Sequence, residues 1–313
     1  MGSHPMRNFR FGVNFGRMDV DDWAAFCRSS EELGVDTVLA PDHLGAASPF
    51  AMLATAAAVT SRVRVGTLVV NNEFYNPSML AREAATVDRL SGGRLELGLG
   101  CGYMKSEFDA AGIAWRPHAE RAERLERSIA RLHRLFSKGE GQEPLPRQTP
   151  RPPLLIGAHG QRTLALAARH ADIVGYAGLS QVRGKKMGTF HVAGAEETLR
   201  RVEFVAEQAG ARADAIESNV LIQAVRITDD AERTAAEIAR EFAGTGLDTA
   251  AAVLDSPFVL VGTAEEIARE IIANRERFGF SYIATHAPYR DALAEVIPIV
   301  RDLAGEPQPA PQP

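Results

Sequence analysis

The chain has 313 residues, of which 45% are hydrophobic and 24% are charged, and its formal net charge is -5. A chain of this length and composition can bury a large core in one large domain or in two smaller ones. The sequence has no long basic run and no apolar stretch long enough to cross a bilayer. It therefore argues against nucleic acid and membrane as partners.

The N-terminus and the cysteines bear on the cellular compartment. Residues 1–5 resemble an expression remnant and lack the apolar core of a secretory signal, so we expect a natural start at Met6 and a cytoplasmic location. Cys27 and Cys101 lack the Cys-x-x-Cys spacing of zinc and redox sites. We interpret both as free thiols and expect no metal site.

Strand-like runs alternate with helical segments along the whole chain. Strands are predicted at residues 9–15, 37–40, 64–70, 94–99, 154–157, 173–176, 219–227 and 282–285. Helices are predicted at residues 21–33, 49–59, 77–90, 119–136, 161–170, 195–209, 229–242, 264–278 and 290–303. Repeated β-then-α units imply a parallel sheet, and eight strands predict an α/β fold of the (β/α)8 TIM barrel type. An open doubly wound sheet is the alternative.

Two long connections interrupt this alternation without dividing the chain. Residues 139–153 are rich in proline and polar residues and are expected to form a surface insertion after the fourth helix. Residues 179–194 form a second insertion after the sixth strand. We therefore predict a single barrel domain over residues 6–304, followed by a disordered tail at residues 305–313.

A glycine-rich exit follows the fourth strand. Residues 90–103 read Leu-Ser-Gly-Gly-Arg-Leu-Glu-Leu-Gly-Leu-Gly-Cys-Gly-Tyr, and a backbone without side chains can lie against a flat ligand. A dinucleotide fingerprint is disfavoured, because Tyr103 replaces its final glycine and the strand is not the first. On the same strand, Glu96 is expected to form a structural ion pair with Arg64 inside the barrel.

Ionisable side chains follow the second strand, at the end where α/β folds keep their chemistry. His43 can titrate near neutral pH, and Asp42 or another carboxylate could orient it, although a lone histidine is often structural. Tyr103 is either a hydrogen-bond donor at the site or a packing residue. Glu107 is interpreted as a carboxylate that starts a helix or orders a loop.

Several of these motifs together resemble the bacterial luciferase-like monooxygenase superfamily. They are Asp42-His43, residues 66–70, Asn76-Pro77, residues 90–103 with Glu107, residues 153–160 and residues 167–174. The chain is most similar to the branch that uses the deazaflavin coenzyme F420. The resemblance implies a flavin-type ring across the C-terminal mouth of a barrel, and a bulge with a non-prolyl cis peptide near Leu68-Val69. Related F420-dependent sugar-phosphate dehydrogenases carry a carboxylic acid where this chain has Tyr103, so the substrate stays open.

The expected cofactor site combines four segments of the chain. One wall of a ring site is predicted from Gly100, Cys101 and Gly102, and the other from Leu68, Val69 and Val70. Free N–H groups at the start of the helix after the fifth strand suit a phosphate, unless that segment is a simple turn; its residues are Gly157, Ala158, His159 and Gly160. A basic loop suits the anionic tail of F420, unless it is merely solvated; its residues are Arg183, Lys185 and Lys186.

These observations favour an oxidoreductase that moves hydride between F420 and a small organic substrate, with catalytic roles for His43, Asp42 and Tyr103. One alternative is a monooxygenase that uses reduced FMN, and another is a flavin-binding paralogue without catalysis. The helix predicted at residues 49–59 is apolar nearly all round. We expect it to form a homodimer interface, or else to be covered by loops of its own chain.

Overall fold

A computed structural model describes residues 7–16, 19–138, 143–182 and 189–308. Its strands are β1 (Arg10–Asn14), β2 (Thr37–Ala40), β3 (Arg64–Thr67), β4 (Val70–Asn71), β5 (Leu95–Gly100), β6 (Leu154–Gly157), β7 (Ile173–Tyr176), β8 (Leu179–Gln181), β9 (Phe190–Val192), β10 (Glu217–Ile222), β11 (Ala224–Ile227), β12 (Val259–Gly262) and β13 (Phe280–His286). Its helices are α1 (Trp23–Glu32), α2 (Pro49–Val59), α3 (Pro77–Leu90), α4 (Lys105–Ala110), α5 (His118–Lys138), α6 (Gln161–His170), α7 (Ala195–Ala209), α8 (Ala231–Glu241), α9 (Ala250–Asp255), α10 (Ala264–Phe278) and α11 (Arg290–Leu303).

The main sheet is a closed parallel barrel. Its strands lie in the order β3-β2-β1-β13-β10-β7-β6-β5-β4, and a further pairing of β3 with β5 closes the ring. Helices pack around the outside, where their buried faces and the outward-facing side chains of the strands form the main core. The predicted (β/α)8 TIM barrel is therefore confirmed. Among the described residues, no helix has the length and apolar character that a membrane span needs.

Charged residues fill the N-terminal end of the barrel. Arg64 Nε lies 2.5 Å from Glu96 Oε1, as the sequence predicts, and Arg10 Nη1 lies 2.6 Å from the same oxygen. Burial alone would raise the pKa of Glu96, but the two guanidinium groups hold it below its ordinary value. A smaller apolar cluster of Leu155, Ile173 and Tyr282 lies inside the ring, with Leu68 and Val69 packed against it.

Helix caps explain why many helices begin and end close to where the sequence predicts. Thr263 and Glu266 form a capping box at the start of α10, and Gly279 ends that helix with a φ of 75°. At α8 the capping side chain is Asp230, which accepts a hydrogen bond from the backbone N–H of Arg233, and the helix begins two residues later than predicted. Within the described residues, both cysteines are free thiols.

Two strand predictions need correction, and one predicted insertion contains strands. The run at residues 64–70 is interrupted between β3 and β4, where the Leu68-Val69 peptide bond is cis, as the resemblance implied. The run at residues 219–227 is two strands, and its second half pairs with β12 outside the main barrel. The insertion at residues 179–194 contains an antiparallel hairpin of β8 and β9, whose intervening residues 183–188 lie outside the described part of the chain.

The predicted tail is anchored where it begins. Glu306 Oε2 accepts a hydrogen bond of 2.7 Å from the backbone N–H of Phe9, and its Oε1 lies 2.8 Å from Arg275 Nη1. Residues 305–308 are therefore attached to the N-terminal end of the barrel, contrary to the disorder predicted for them. Residues 309–313 lie outside the described part of the chain.

The apolar helix α2 packs between α1 and α3 and against two barrel strands. Its outer face keeps Ala51, Thr55 and Ala58 exposed. Within the described residues, loops of the same chain therefore do not cover these three side chains.

Candidate active site

His43 lies beyond the C-terminal end of β2, at the open end of the barrel. Its Nδ1 lies 2.8 Å from Glu107 Oε1, and the His43 side chain is 27% exposed. Glu107 stands in the first turn of α4, so it is a carboxylate at a helix start, and it is buried and contacts the imidazole. A buried carboxylate bound to one ring nitrogen fixes the orientation of the ring.

Tyr103 lies on the other side of the imidazole. Its hydroxyl is 3.5 Å from His43 Nε2, and the two rings meet edge to face at a centroid distance of 5.7 Å. The ring of Phe190, from the insertion hairpin, packs edge to face against the same tyrosine, with the two ring centroids 6.1 Å apart. Tyr103 is 49% exposed, so it is a half-exposed residue of the mouth and not a buried packing residue.

Asp42 does not supply the hydrogen bond that orients His43. Its Oδ2 accepts a hydrogen bond of 2.9 Å from the backbone N–H of Asn71, at the end of β4. Burial raises the pKa of Asp42 to about 6, against the opposing effects of the Asn71 hydrogen bond and the nearby His43. Asp42 therefore holds the backbone at the end of strand β4. The sequence left open which carboxylate orients His43, and in the structure that carboxylate is Glu107.

The predicted apolar wall is only partly located in the mouth. Leu68 and Val69 are half-buried and face the inner cluster of the barrel. Val70 is fully buried in the outer core, which corrects its predicted place in the wall. The side-chain period of two along a strand explains the difference, because Val70 belongs to β4 and points away from the ring interior.

Close packing against neighbouring residues explains the glycines at the end of β5 and just after it. A Cβ on Gly98 would overlap the carbonyl oxygen of Thr67, and one on Gly100 would lie 2.7 Å from Val69 Cγ2. A Cβ on Gly102, whose φ is 70°, would lie 2.5 Å from Asn71 Oδ1. The missing side chains therefore admit the bulge of the neighbouring strand, and Leu68 and Val69 present the surface that a ring could contact.

Cys101 lies between two of these glycines and is buried. Burial raises the pKa of its thiol to about 12, so the thiol stays protonated at neutral pH. Its backbone carbonyl accepts a hydrogen bond of 3.0 Å from Arg121 Nη1. These contacts agree with an inert neighbour of the mouth rather than a nucleophile.

The segment after β6 forms an open helix start. Gly160 is exposed at the N-terminus of α6, and a Cβ added there would meet no atom of the described residues within 4 Å beyond its chain neighbours. His159 Nε2 accepts a hydrogen bond of 3.3 Å from Arg201, and burial lowers the pKa of this histidine to about 4. Gly157 is half-buried and Ala158 is buried. The predicted basic residues Arg183, Lys185 and Lys186 lie outside the described part of the chain.

Two residues of the mouth escaped the sequence reasoning. Asn14 ends β1, where it is paired in register with His286 at the end of β13. Asn14 Oδ1 is buried and has no hydrogen-bond partner among the described residues, and burial lowers the pKa of His286. The signal that pointed to His43, a polar residue at the C-terminal end of a strand, applies equally to both.

The fold and the motifs can be compared with known proteins. The family described as luciferase-like monooxygenase matches residues 6–282. An F420-dependent glucose-6-phosphate dehydrogenase from Amycolatopsis mediterranei is 35% identical over 132 residues, which cover 39% of this chain and 39% of that protein. The protein of the same name from Nakamurella multipartita is 27% identical over an alignment of 348 positions, which covers 95% of this chain and 98% of that protein. The crystal structure of monooxygenase RslO1 from Streptomyces bottropensis has a TM-score of 0.70 at 22% identity, covering 94% and 98%.

The family match extends over most of the chain, so the protein belongs to the luciferase-like monooxygenase family. The resemblance inferred from its motifs is confirmed. The first of these relatives aligns over only about two fifths of its own length, whereas the second aligns over nearly all of it. The solved structure, at its lower identity, bears on the fold alone.

Proposed function

We propose that this protein is an oxidoreductase that transfers hydride between coenzyme F420 and a small organic substrate. The observation that carries the proposal is the hydrogen bond from His43 to the buried Glu107 at the barrel mouth. Two relatives that bear the name of an F420-dependent dehydrogenase support the choice of cofactor. These names describe the substrates of the relatives, so they do not identify the substrate of this protein.

The residues at the mouth fit a flavin-type cofactor. Leu68 and Val69 offer a half-buried apolar surface for a planar ring, and the orphaned Asn14 Oδ1 offers an acceptor at the same end of the barrel. The start of α6 suits a phosphate, because its N-cap Gly160 is exposed and no side chain among the described residues caps the helix. When bound, F420 supplies a hydride carrier that resembles nicotinamide in its two-electron chemistry.

The proton that accompanies hydride transfer is assigned to His43. With the Nδ1 proton donated to Glu107, the neutral ring presents an Nε2 lone pair that can accept the proton of a substrate hydroxyl. Glu107 then stabilises the imidazolium, and Tyr103, 3.5 Å from Nε2, can donate a hydrogen bond to the substrate oxygen. Asp42 acts at a distance, by holding the adjoining strand exit.

We further propose that the substrate is a small alcohol or the corresponding carbonyl compound. A hydroxyl group is the proton donor that an imidazole base requires, and the rings of the half-exposed Tyr103 and the half-buried Phe190 add an apolar rim. Tyr103 also replaces the acidic residue expected for sugar-phosphate dehydrogenases.

Cofactor binding tests the proposal. Purified protein is titrated with F420 and with FMN, each in both redox states, and binding is followed by fluorescence quenching and thermal shift. Selective binding of F420 is expected. Selective binding of reduced FMN with consumption of oxygen would instead favour a monooxygenase, which the family description keeps as a second candidate. Binding of neither cofactor would contradict both and favour a paralogue without catalysis.

The protein is also proposed to act as a homodimer in the cytoplasm. The exposed face of α2 carries Ala51, Thr55 and Ala58, which are small enough to let a second helix approach closely. Symmetric dimers are the commonest assemblies of soluble proteins.

A further inference from the structure

We propose that the N-terminal end of the barrel holds a second binding site, specific for a small phosphate monoester. A cavity of about 380 Å³ opens there, at the opposite end of the strands from His43. Its volume falls within the range of small-molecule sites. The cavity is larger than a bare phosphate requires, so it leaves room for an organic group.

Arginines form the accessible lining of this cavity. The side chains of Arg10, Arg62 and Arg64 line it and are 23%, 32% and 28% exposed. Glu96 binds Arg10 and Arg64, and Glu217 binds Arg10. Both carboxylates lie deeper than these arginines, since the side chain of Glu96 is 3% exposed and that of Glu217 is 12% exposed. The cavity lining therefore presents four arginines, Arg10, Arg62, Arg64 and Arg301, together with the two carboxylates of Asp36 and Glu306.

Two arginines of the lining have nitrogen atoms without a hydrogen-bond partner among the described residues. Arg301 lines the cavity and is 4% exposed; its Nη2 donates to Asp36 at 2.8 Å, while its Nη1 has no such partner. Arg62 also lines the cavity; its Nη2 donates to the carbonyl oxygen of Glu31 at 2.7 Å, and its Nε has no such partner. Both unpartnered atoms are buried from solvent, so these guanidinium groups contribute positive charge to the cavity rather than exposed donors.

The chemistry of guanidinium groups selects the ligand class. Their planar donors match phosphate oxygens in pairs, and several around one cavity can share a doubly charged group. Asp36 and Glu306 also line the cavity and are already occupied, the former by Arg301 and the latter by Arg275. An arginine therefore balances the negative charge of each carboxylate, which weakens the repulsion between the carboxylate and an anionic ligand.

Calorimetric titration of the full chain tests the proposal. Inorganic phosphate and glycerol 3-phosphate are added at constant ionic strength, and both are expected to bind saturably, the ester at least as tightly as the free ion. The variant Arg62→Gln should weaken both by about tenfold or more, because it removes charge-assisted hydrogen bonds.

A matched variant controls for the loss of an arginine outside the cavity. Arg269 on α10 is 62% exposed and does not line the cavity, so Arg269→Gln should leave the affinity unchanged. Equal affinity in the wild type and Arg62→Gln, or an equal loss in Arg269→Gln, would overturn the proposal. So would the absence of saturable binding to the wild type, a result that does not depend on whether any variant folds.

Discussion

The two ring nitrogens of His43 contact groups of different character. Nδ1 meets the buried carboxylate of Glu107 at 2.8 Å, and Nε2 faces the hydroxyl of Tyr103 at 3.5 Å. A carboxylate behind an imidazole selects one tautomer and stabilises the cation that forms when the other nitrogen takes a proton. In the proposed reaction, Glu107 is thus a positioning residue and His43 is the group that moves the proton.

Substituting these two residues should separate catalysis from binding. His43→Ala is expected to lower turnover by about a hundredfold or more, and Glu107→Gln by a smaller factor, because the amide still holds the ring but no longer balances its charge. The measurement is F420 reduction with a panel of small alcohols, alongside the dissociation constant for F420. Unchanged turnover in His43→Ala would remove this residue from the mechanism.

His159 should make stability depend on pH. Its pKa is lowered from 6.5 to about 4 in the folded chain, by burial first and then by the charge of Arg201. Between these values the unfolded chain binds a proton that the folded chain does not, so stability is lost as the pH falls through this window. Urea unfolding of His159→Gln should show a smaller loss of stability on acidification than the wild type.

The matched control for this experiment is Arg162→Gln, because Arg162 lies on the same helix α6 and its side chain is 56% exposed. It should leave the pH dependence in the window of His159 largely as it is in the wild type. If His159→Gln instead lost stability on acidification as steeply as the wild type, the attribution of this pH dependence to His159 would be wrong.

At the scale of the elements, local signals predicted the long helices and most of the barrel strands. Pro49 and Pro77 stand at the starts of α2 and α3, and both helices have the predicted bounds. The short elements α4, α9, β12 and the β8–β9 hairpin were missed. Such elements have few residues to show a period, and contacts with distant parts of the chain stabilise them.

At the candidate site, too, local patterns predict some features, and others depend on contacts between distant parts of the chain. The place of His43 could be predicted because it depends on one strand end, whereas its partner Glu107 is 64 residues away along the chain. The purpose of the β5 glycines depends on how β3 bulges towards them, which no pattern within β5 reveals. Contacts between elements therefore account for the corrections at the site.

Gly98→Ala tests the packing of strand β3 against strand β5. The added methyl group would overlap the carbonyl oxygen of Thr67, which is backbone and cannot rotate away. We expect a loss of about 3 kcal/mol or more in the free energy of unfolding, measured with urea. Gly194→Ala is the control, since the nearest atom is 4.0 Å from its Cβ position, and it should cost about 1 kcal/mol or less. Equal losses would contradict the proposed role of Gly98.

At the scale of the whole molecule, the barrel has two polar ends of different construction. The N-terminal end carries ion pairs around Glu96 and a cavity that is lined by several arginines. The C-terminal end combines the half-buried apolar residues Leu68 and Val69 with His43 and Tyr103. Because the two ends share no residue, binding at one can be tested separately from binding at the other.

The assembly state can be tested on helix α2. Ala58→Arg places a long charged side chain on its exposed face and is expected to convert a dimer into a monomer, as measured by light scattering after size exclusion. Ala251→Arg, on the exposed face of α9, should leave the mass unchanged. A monomeric wild type, or a dimer that survives Ala58→Arg, would show that α2 does not form the interface.

The central claim is that a flavin-type ring binds at the barrel mouth beside His43. A crystal structure of the complex with F420 tests it most directly. The ring is expected to lie against Leu68 and Val69, with its reacting face open to a substrate within hydrogen-bond reach of His43 Nε2. A ring bound elsewhere, or one separated from His43 by side chains that fill the mouth, would contradict the account.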